Sequence, residues 1–163
     1  MACSMRNCLA GLALLSFASA SPANADSAFI KFLNGPWGQS DASGEPMAGM
    51  MMKPGAPQFH RKSCPPAGVA MKDMVPNEIW FATLENNQFV RVSMSHGGKL
   101  VPFEYNFQRL DDRDTAVFTF ANPLGLTGTM RITRLSPTRL RLNSEFGPTK
   151  REEFYVRCKG LSG

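Results

Sequence analysis

The sequence predicts an all-β fold: an antiparallel up-and-down meander closed into an eight-stranded barrel, with an antiparallel β-sandwich as the alternative. Three observations predict it. From residue 78 onward, short runs rich in β-branched and aromatic residues alternate with turn residues. The connections are too short for crossover helices, so successive strands must be antiparallel. No stretch shows a sustained amphipathic helical period.

The strands follow in order. "EIWFATL" (78–84) leads through Glu85, Asn86 and Asn87 into "QFVRVSM" (88–94). "HGGK" (96–99) turns into "LVPFEYNF" (100–107), where Val101, Phe103, Tyr105 and Phe107 share one face and Glu104 and Asn106 the other. That alternation marks a half-buried strand. "DDRD" (111–114) precedes "TAVFTF" (115–120), and "NPLG" (122–125) precedes a run from Leu126 to Leu135. "SPT" (136–138) turns into "RLRLNSEF" (139–146), and "GPTK" (147–150) into "REEFYVRC" (151–158). Each breaker supplies Gly, Pro, Asn or Asp where a tight turn needs fixed or positive φ. One more strand near Trp37 completes eight, and closure removes the exposed edges. Between them, residues 38–77 read as an irregular segment rich in Pro, Gly, Ser and Met.

The N-terminus reads as an export signal. Arg6 supplies the positive start, "CLAGLALLSFASA" the short apolar core, and "ANA" before Asp26 the small-residue cleavage site. Residues 1–25 are therefore expected to be removed, leaving 26–163 as one barrel domain in the periplasm or secreted. The apolar run is shorter than the ~20 residues of a membrane span, and no transmembrane segment is expected. Of the four cysteines, Cys3 and Cys8 leave with the signal. Cys64 and Cys158 remain, and in an oxidising compartment they most simply form one disulfide; two buried free thiols are the alternative. Closing so long a loop is worth roughly 4–5 kcal/mol on the chain-entropy estimate.

The chain carries 18 basic and 13 acidic residues, a net charge of +5. This mild excess is not the dense basic stripe of a nucleic-acid-binding domain, and no nucleic-acid partner is expected. Its distribution says more. Arg131, Arg134, Arg139, Arg141, Lys150, Arg151, Arg157 and Lys159 crowd the last strands, against Glu145, Glu152 and Glu153. Arg131, Arg139 and Arg141 alternate with apolar residues and so fall on an outer face. There they read as a solvated, edge-guarding surface or as a patch for an anionic lipid surface.

In "NGPWGQS" (34–40), Gly35-Pro36-Trp37 resembles the G-x-W signature that opens the first strand of lipocalins. With the meander and the mid-chain and C-terminal cysteines, the mature chain is lipocalin-like, or calycin-like, in outline. The resemblance implies a barrel-closing motif of Gly35, Trp37 and a late basic residue packed across the tryptophan, Arg157 or Arg151. It also implies that the protein binds a small hydrophobic ligand. The sequence departs from the family in having neither a Thr-Asp-Tyr segment between middle strands nor a C-terminal helix pattern.

The sequence carries none of the common catalytic motifs, and no enzyme is expected. H-E-x-x-H, G-x-S-x-G and a glycine-rich phosphate loop are all missing. The only histidines are His60 and His96, both in loop text. His96 beside Ser95 lacks an orienting third group, so no catalytic residue is assigned. Met47, Met50, Met51 and Met52 with His60 are ligands soft enough for Cu(I), giving a copper-binding loop as one alternative function. Methionine is also an adaptable apolar filler, and Met50, Met51 and Met52 read first as a lid or rim. No cofactor is assigned.

Phe103, Tyr105, Phe118 and Phe120 are the expected ligand-facing residues of the barrel, together with that rim. Trp80, Phe107, Phe154 and Tyr155 are further strand aromatics. A lumen filled by side chains and one holding a ligand share the same alternation. The leading expectation is an exported, non-enzymatic barrel binding a small apolar ligand or an envelope component. A second alternative is a protein-interaction module such as a protease or lysozyme inhibitor, with "DSAFIKFLN" (26–34) as an arm entering the partner's cleft.

Overall fold

The computed structural model describes residues 22–51, 59–64, 69–83, 89–94, 99–121, 125, 127–159 and 161–162. Eight antiparallel strands form a closed barrel. They are β1 (Gly35–Ser40), β5 (Glu78–Thr83), β6 (Phe89–Met94), β7 (Leu100–Asp112), β8 (Thr115–Ala121), β9 (Thr127–Ser136), β10 (Arg139–Phe146) and β11 (Thr149–Arg157). The seven later strands lie within a few residues of their predicted spans. β5 to β11 pair each with the next in sequence, and β1 closes the ring by pairing with both β5 and β11. Two spans differ. β7 runs on to Asp112 through register shifts at Phe107/Arg109 and Leu110/Asp112. β11 begins at Thr149, because Gly147 and Pro148 alone make the turn.

The expected alternation holds in β7, with Val101, Phe103, Tyr105 and Phe107 shielded and Pro102, Glu104 and Asn106 exposed. Inward residues fill the half of the barrel nearest the start of β1. Trp37, Phe81, Ala116, Phe118, Ile132, Leu140 and Leu142 are fully buried there, beside Ile79, Phe89 and Met130. Phe89 stacks on Phe81 and on Phe118, each at 5.2 Å between ring centroids, and Phe107 meets Phe118 edge-on at 5.7 Å.

An element the periodicity did not reveal plugs that end. Helix α1 spans Pro22–Leu33, covering the segment that the inhibitor alternative reads as an arm. Phe29 and Leu33, one turn apart, are 2% and 0% exposed in the main core. Dividing the chain at residue 25 leaves too short a stretch for a 3.6-residue period to register. The residues proposed to enter a partner's cleft are thus a helix whose apolar face belongs to this barrel, with burial worth roughly 1.5–3 kcal/mol for each large side chain.

The excursion at 38–77 is more ordered than its composition implied. It carries the hairpin β2 (Ala48–Met51) and β3 (Phe59–Lys62), the short β4 (Val69–Ala70) and a 3-10 turn at Met71–Asp73. β4 pairs in parallel with β12 (Leu161–Ser162). This excursion packs on the outside of the wall. Met74 and Cys158 are buried in a second small core with Cys64 and Trp80. Trp80 therefore faces outward, since its neighbours Ile79 and Phe81 take the lumen positions.

Cys64 and Cys158 are disulfide-bonded, 94 residues apart in sequence, with 4.7 Å between Cα atoms. Gly38 explains how they fit against β1. A Cβ at Gly38 would lie 2.6 Å from Cys64 Sγ and from Ser63 Cβ, so only glycine lets the loop reach the strand. Cys64 adopts φ 57°, an uncommon left-handed conformation for a non-glycine residue. Buried Glu78 holds it there. One carboxylate oxygen accepts from the Cys64 N–H at 3.1 Å and the other from the Val75 N–H at 3.0 Å.

Candidate functional site

The barrel has two unlike ends. At the α1 end, Gly35, Trp37 and Arg157 come together as the resemblance implied. Trp37 and Arg157 are register partners on β1 and β11, and the Arg157 guanidinium carbon lies 4.0 Å from the Trp37 ring centroid. Arg157 also donates to the backbone carbonyls of Phe32 and Asn34, and Trp37 Nε1 donates to the Leu33 carbonyl at 2.8 Å. These are the carbonyls a helix C-terminus leaves unsatisfied, and a cation there also suits the helix dipole. Gly35 sits at φ 109°, with Arg157 Nη1 3.2 Å from where its Cβ would be. Burial lowers the Arg157 pKa. Arg134, inward on β9, lies 5.3 Å over Phe32 and is held by Asp114 at 2.8 Å. Arg151, the other candidate for the tryptophan, lies near the opposite end of β11.

That opposite end carries the candidate site. A cavity of about 370 Å³ is lined by Phe103, Tyr105, Phe120, Met130 and Phe146, with Arg91, Ser144, Thr149, Arg151 and Glu153. Alternation places all of them on the lumen face, because Phe89, Phe118, Leu142 and Tyr155 on the same strands point into the core. Phe120 stacks on Phe146 at 6.1 Å and tilts against Tyr105 at 5.5 Å. The Arg91 guanidinium carbon lies 5.5 Å over the Phe103 ring. Burial raises the pKa of both Tyr105 and Tyr155; Glu153 pushes them further up, and Arg91 opposes it. Both phenols stay protonated at neutral pH, so Tyr105 offers the cavity a neutral polar tip on an apolar ring.

Three of the expected ligand-facing aromatics, Phe103, Tyr105 and Phe120, meet in this cavity. Phe118 does not line it. At 0% exposure it is core, packed against Tyr105 and Phe89 below. Arg91, Arg151 and Glu153 were missed. On β6 the apolar residues Val90 and Val92 take the outward positions and Arg91 the lumen, so hydrophobicity alone assigns that strand's faces wrongly. The signal that finds Arg91 is parity with Phe89, which is buried.

The three arginines of the expected anion patch are outward but each has a partner within the chain. Asp111 accepts from Arg131 and from Arg109, bridging them across Val117. Arg141 lies 3.8 Å from Glu152. Arg139 donates to the Ala42 carbonyl in the turn after β1. Asn143 stands opposite Arg131 and Thr133 opposite Arg141, so no unbroken cationic ladder forms.

Met47 is 45% exposed at the foot of the β2–β3 hairpin, where its N–H donates to the Gln39 carbonyl. Met50 is the register partner of His60, and Met51 of Phe59. Met52 and His96 lie outside the described residues. The disulfide withdraws Cys64 as a thiolate ligand. Among the described residues, no group of three or more His, Cys, Asp or Glu side chains could hold a metal ion, and no helix is long and apolar enough to cross a membrane.

No protein-family model, no curated protein and no solved structure matches the chain.

Proposed function

We propose that this is an exported, lipocalin-like binding protein that holds one small apolar or amphiphilic molecule at the end of the barrel away from α1. The observation that carries the reading is the contrast between the two halves of the lumen. In the α1 half the lumen positions are taken by the fully buried Trp37, Phe81, Phe118, Ile132, Leu140 and Leu142. The other half keeps about 370 Å³ walled by aromatic rings with a few convergent polar groups. That composition and size suit a small-molecule pocket, which typically spans about 300–1,000 Å³. Export to the periplasm or beyond is part of the same proposal, motivated by the N-terminal "CLAGLALLSFASA…ANA" pattern.

Native mass spectrometry of protein purified from its own compartment tests this reading. One small-molecule adduct is expected on the wild type and none on Ser144→Phe, which places a ring inside the cavity. A wild type carrying no adduct, or an adduct that survives Ser144→Phe in a folded variant, rejects it.

A further inference from the structure

The cavity holds more charge than an apolar ligand needs. Arg91 projects into it, and its Nε is buried without a hydrogen-bond partner. Among the described residues, Arg91 has no carboxylate within ion-pair distance; its guanidinium lies over the Phe103 ring and acts on the Tyr105 and Tyr155 phenols. Arg91 is half-buried, with its Nε shielded at the cavity wall, and a polar group shielded from water is stabilised by a hydrogen-bonding partner. The chain contains carboxylates that could have been set beside it, as Asp111 is set beside Arg131 and Asp114 beside Arg134. Here the cation is flanked instead by the aromatic wall of Phe103, Phe120 and Phe146.

We infer that the molecule held in this cavity is a small monocarboxylic acid with an apolar body, its carboxylate seated on the Arg91 guanidinium. This rests on the binding-protein reading above and names its ligand class. The planar edge of arginine matches a carboxylate with two parallel hydrogen bonds. Charge sets the valence. Arg91 and Arg151 face one acidic group, Glu153, in the same cavity, so the lining is singly positive. One negative charge neutralises it, while a dianion such as a phosphate monoester would meet Glu153 in repulsion. Size sets the body. Phe118 and Phe89 floor the space, and about 370 Å³ accommodates an aromatic or short alkyl acid rather than a two-chain lipid. The rings of Phe120 and Phe146, stacked within 15° of parallel, offer that body a flat wall.

The test compares matched probes by NMR titration of the full mature protein. Phenylbutyrate, decanoate and naphthylacetate are each paired with the corresponding amide, and phenyl phosphate serves as the dianion. Wild type is expected to bind at least one acid about tenfold tighter than its amide or more, the size of a charge-assisted hydrogen bond. Phenyl phosphate should bind more weakly than that acid. Arg91→Gln should bring the acid-to-amide ratio close to one, and Arg91→Lys should restore part of the preference. An acid-to-amide ratio near one in wild type, or tighter binding of phenyl phosphate, overturns the monocarboxylate inference while leaving the cavity as a binding site. Binding of no member of any pair overturns both. The wild-type ratio needs no variant, so a misfolded Arg91→Gln cannot obscure the result.

Discussion

Arg157 covers Trp37 with its guanidinium carbon 4.0 Å from the indole centroid, and the same guanidinium donates to the carbonyls that end α1. One side chain thus joins the first barrel strand, the last one and the helix between them and solvent. A cation–π contact contributes about 0.5–2 kcal/mol, and hydrogen bonds to a charged group about 1.5–3 kcal/mol. Arg157→Ala should therefore lower unfolding free energy by about 2–4 kcal/mol in urea titrations, with Arg157→Lys recovering only a part because it lacks the planar fork. A loss under about 0.5 kcal/mol, typical of a surface substitution, would show that the cluster is not what closes this end.

The helix makes a second prediction. Phe29 and Leu33 are buried in the core, so truncation should leave cavities at the plugged end. Phe29→Ala is expected to cost about 3–5 kcal/mol and Leu33→Ala about 2–5 kcal/mol. Deleting residues 26–33 should unfold the barrel or greatly lower its melting temperature. A deletion variant that keeps its melting temperature would return α1 to the standing of a free arm.

The disulfide and Gly38 form one unit, because the loop bearing Cys64 must approach β1 where only glycine fits. Replacing both Cys64 and Cys158 with serine should cost about 2–5 kcal/mol. Gly38→Ala should cost about 1–3 kcal/mol through overpacking and slow formation of the bridge during refolding. Thiol-alkylation mass spectrometry after timed refolding checks the second effect; bridge formation at the wild-type rate would contradict it.

Acid stability follows from Asp114. Hydrogen bonds from Arg134, then from Arg113, hold its carboxyl below the usual 3.8. A carboxylate whose folded pKa lies below its unfolded one stabilises the fold above the unfolded value. That contribution fades as pH falls through the folded value. Melting temperature should accordingly decline as pH drops below about 4, and Asp114→Asn should flatten part of that decline while lowering stability at neutral pH. Asp41, lowered chiefly by the Ser43 hydroxyl, acts in the same direction in the turn after β1. An Asp114→Asn profile parallel to wild type would remove Asp114 from the account.

Much of this architecture was legible because its determinants are local. Alternation along "LVPFEYNF" and turn chemistry at "SPT" and "GPTK" act over a few residues, and they set β7, β10 and β11 wherever the strands end up. The cysteine pair was legible from the number of cysteines and the expected export, and Gly35 and Trp37, with Arg157 or Arg151 as partner, from the lipocalin resemblance. Tertiary structure alone decided which face of β6 looks inward, that Trp80 serves an outer core, and that Phe118 is floor rather than wall. It also paired Arg131 with Asp111 and Arg141 with Glu152 while leaving the Arg91 Nε, among the described residues, without a hydrogen-bond partner. These outcomes depend on ring closure, which brings residues far apart in the chain to one level of the lumen. A pattern of period two says only that two faces differ; which of them is enclosed is settled when β1 meets both β5 and β11.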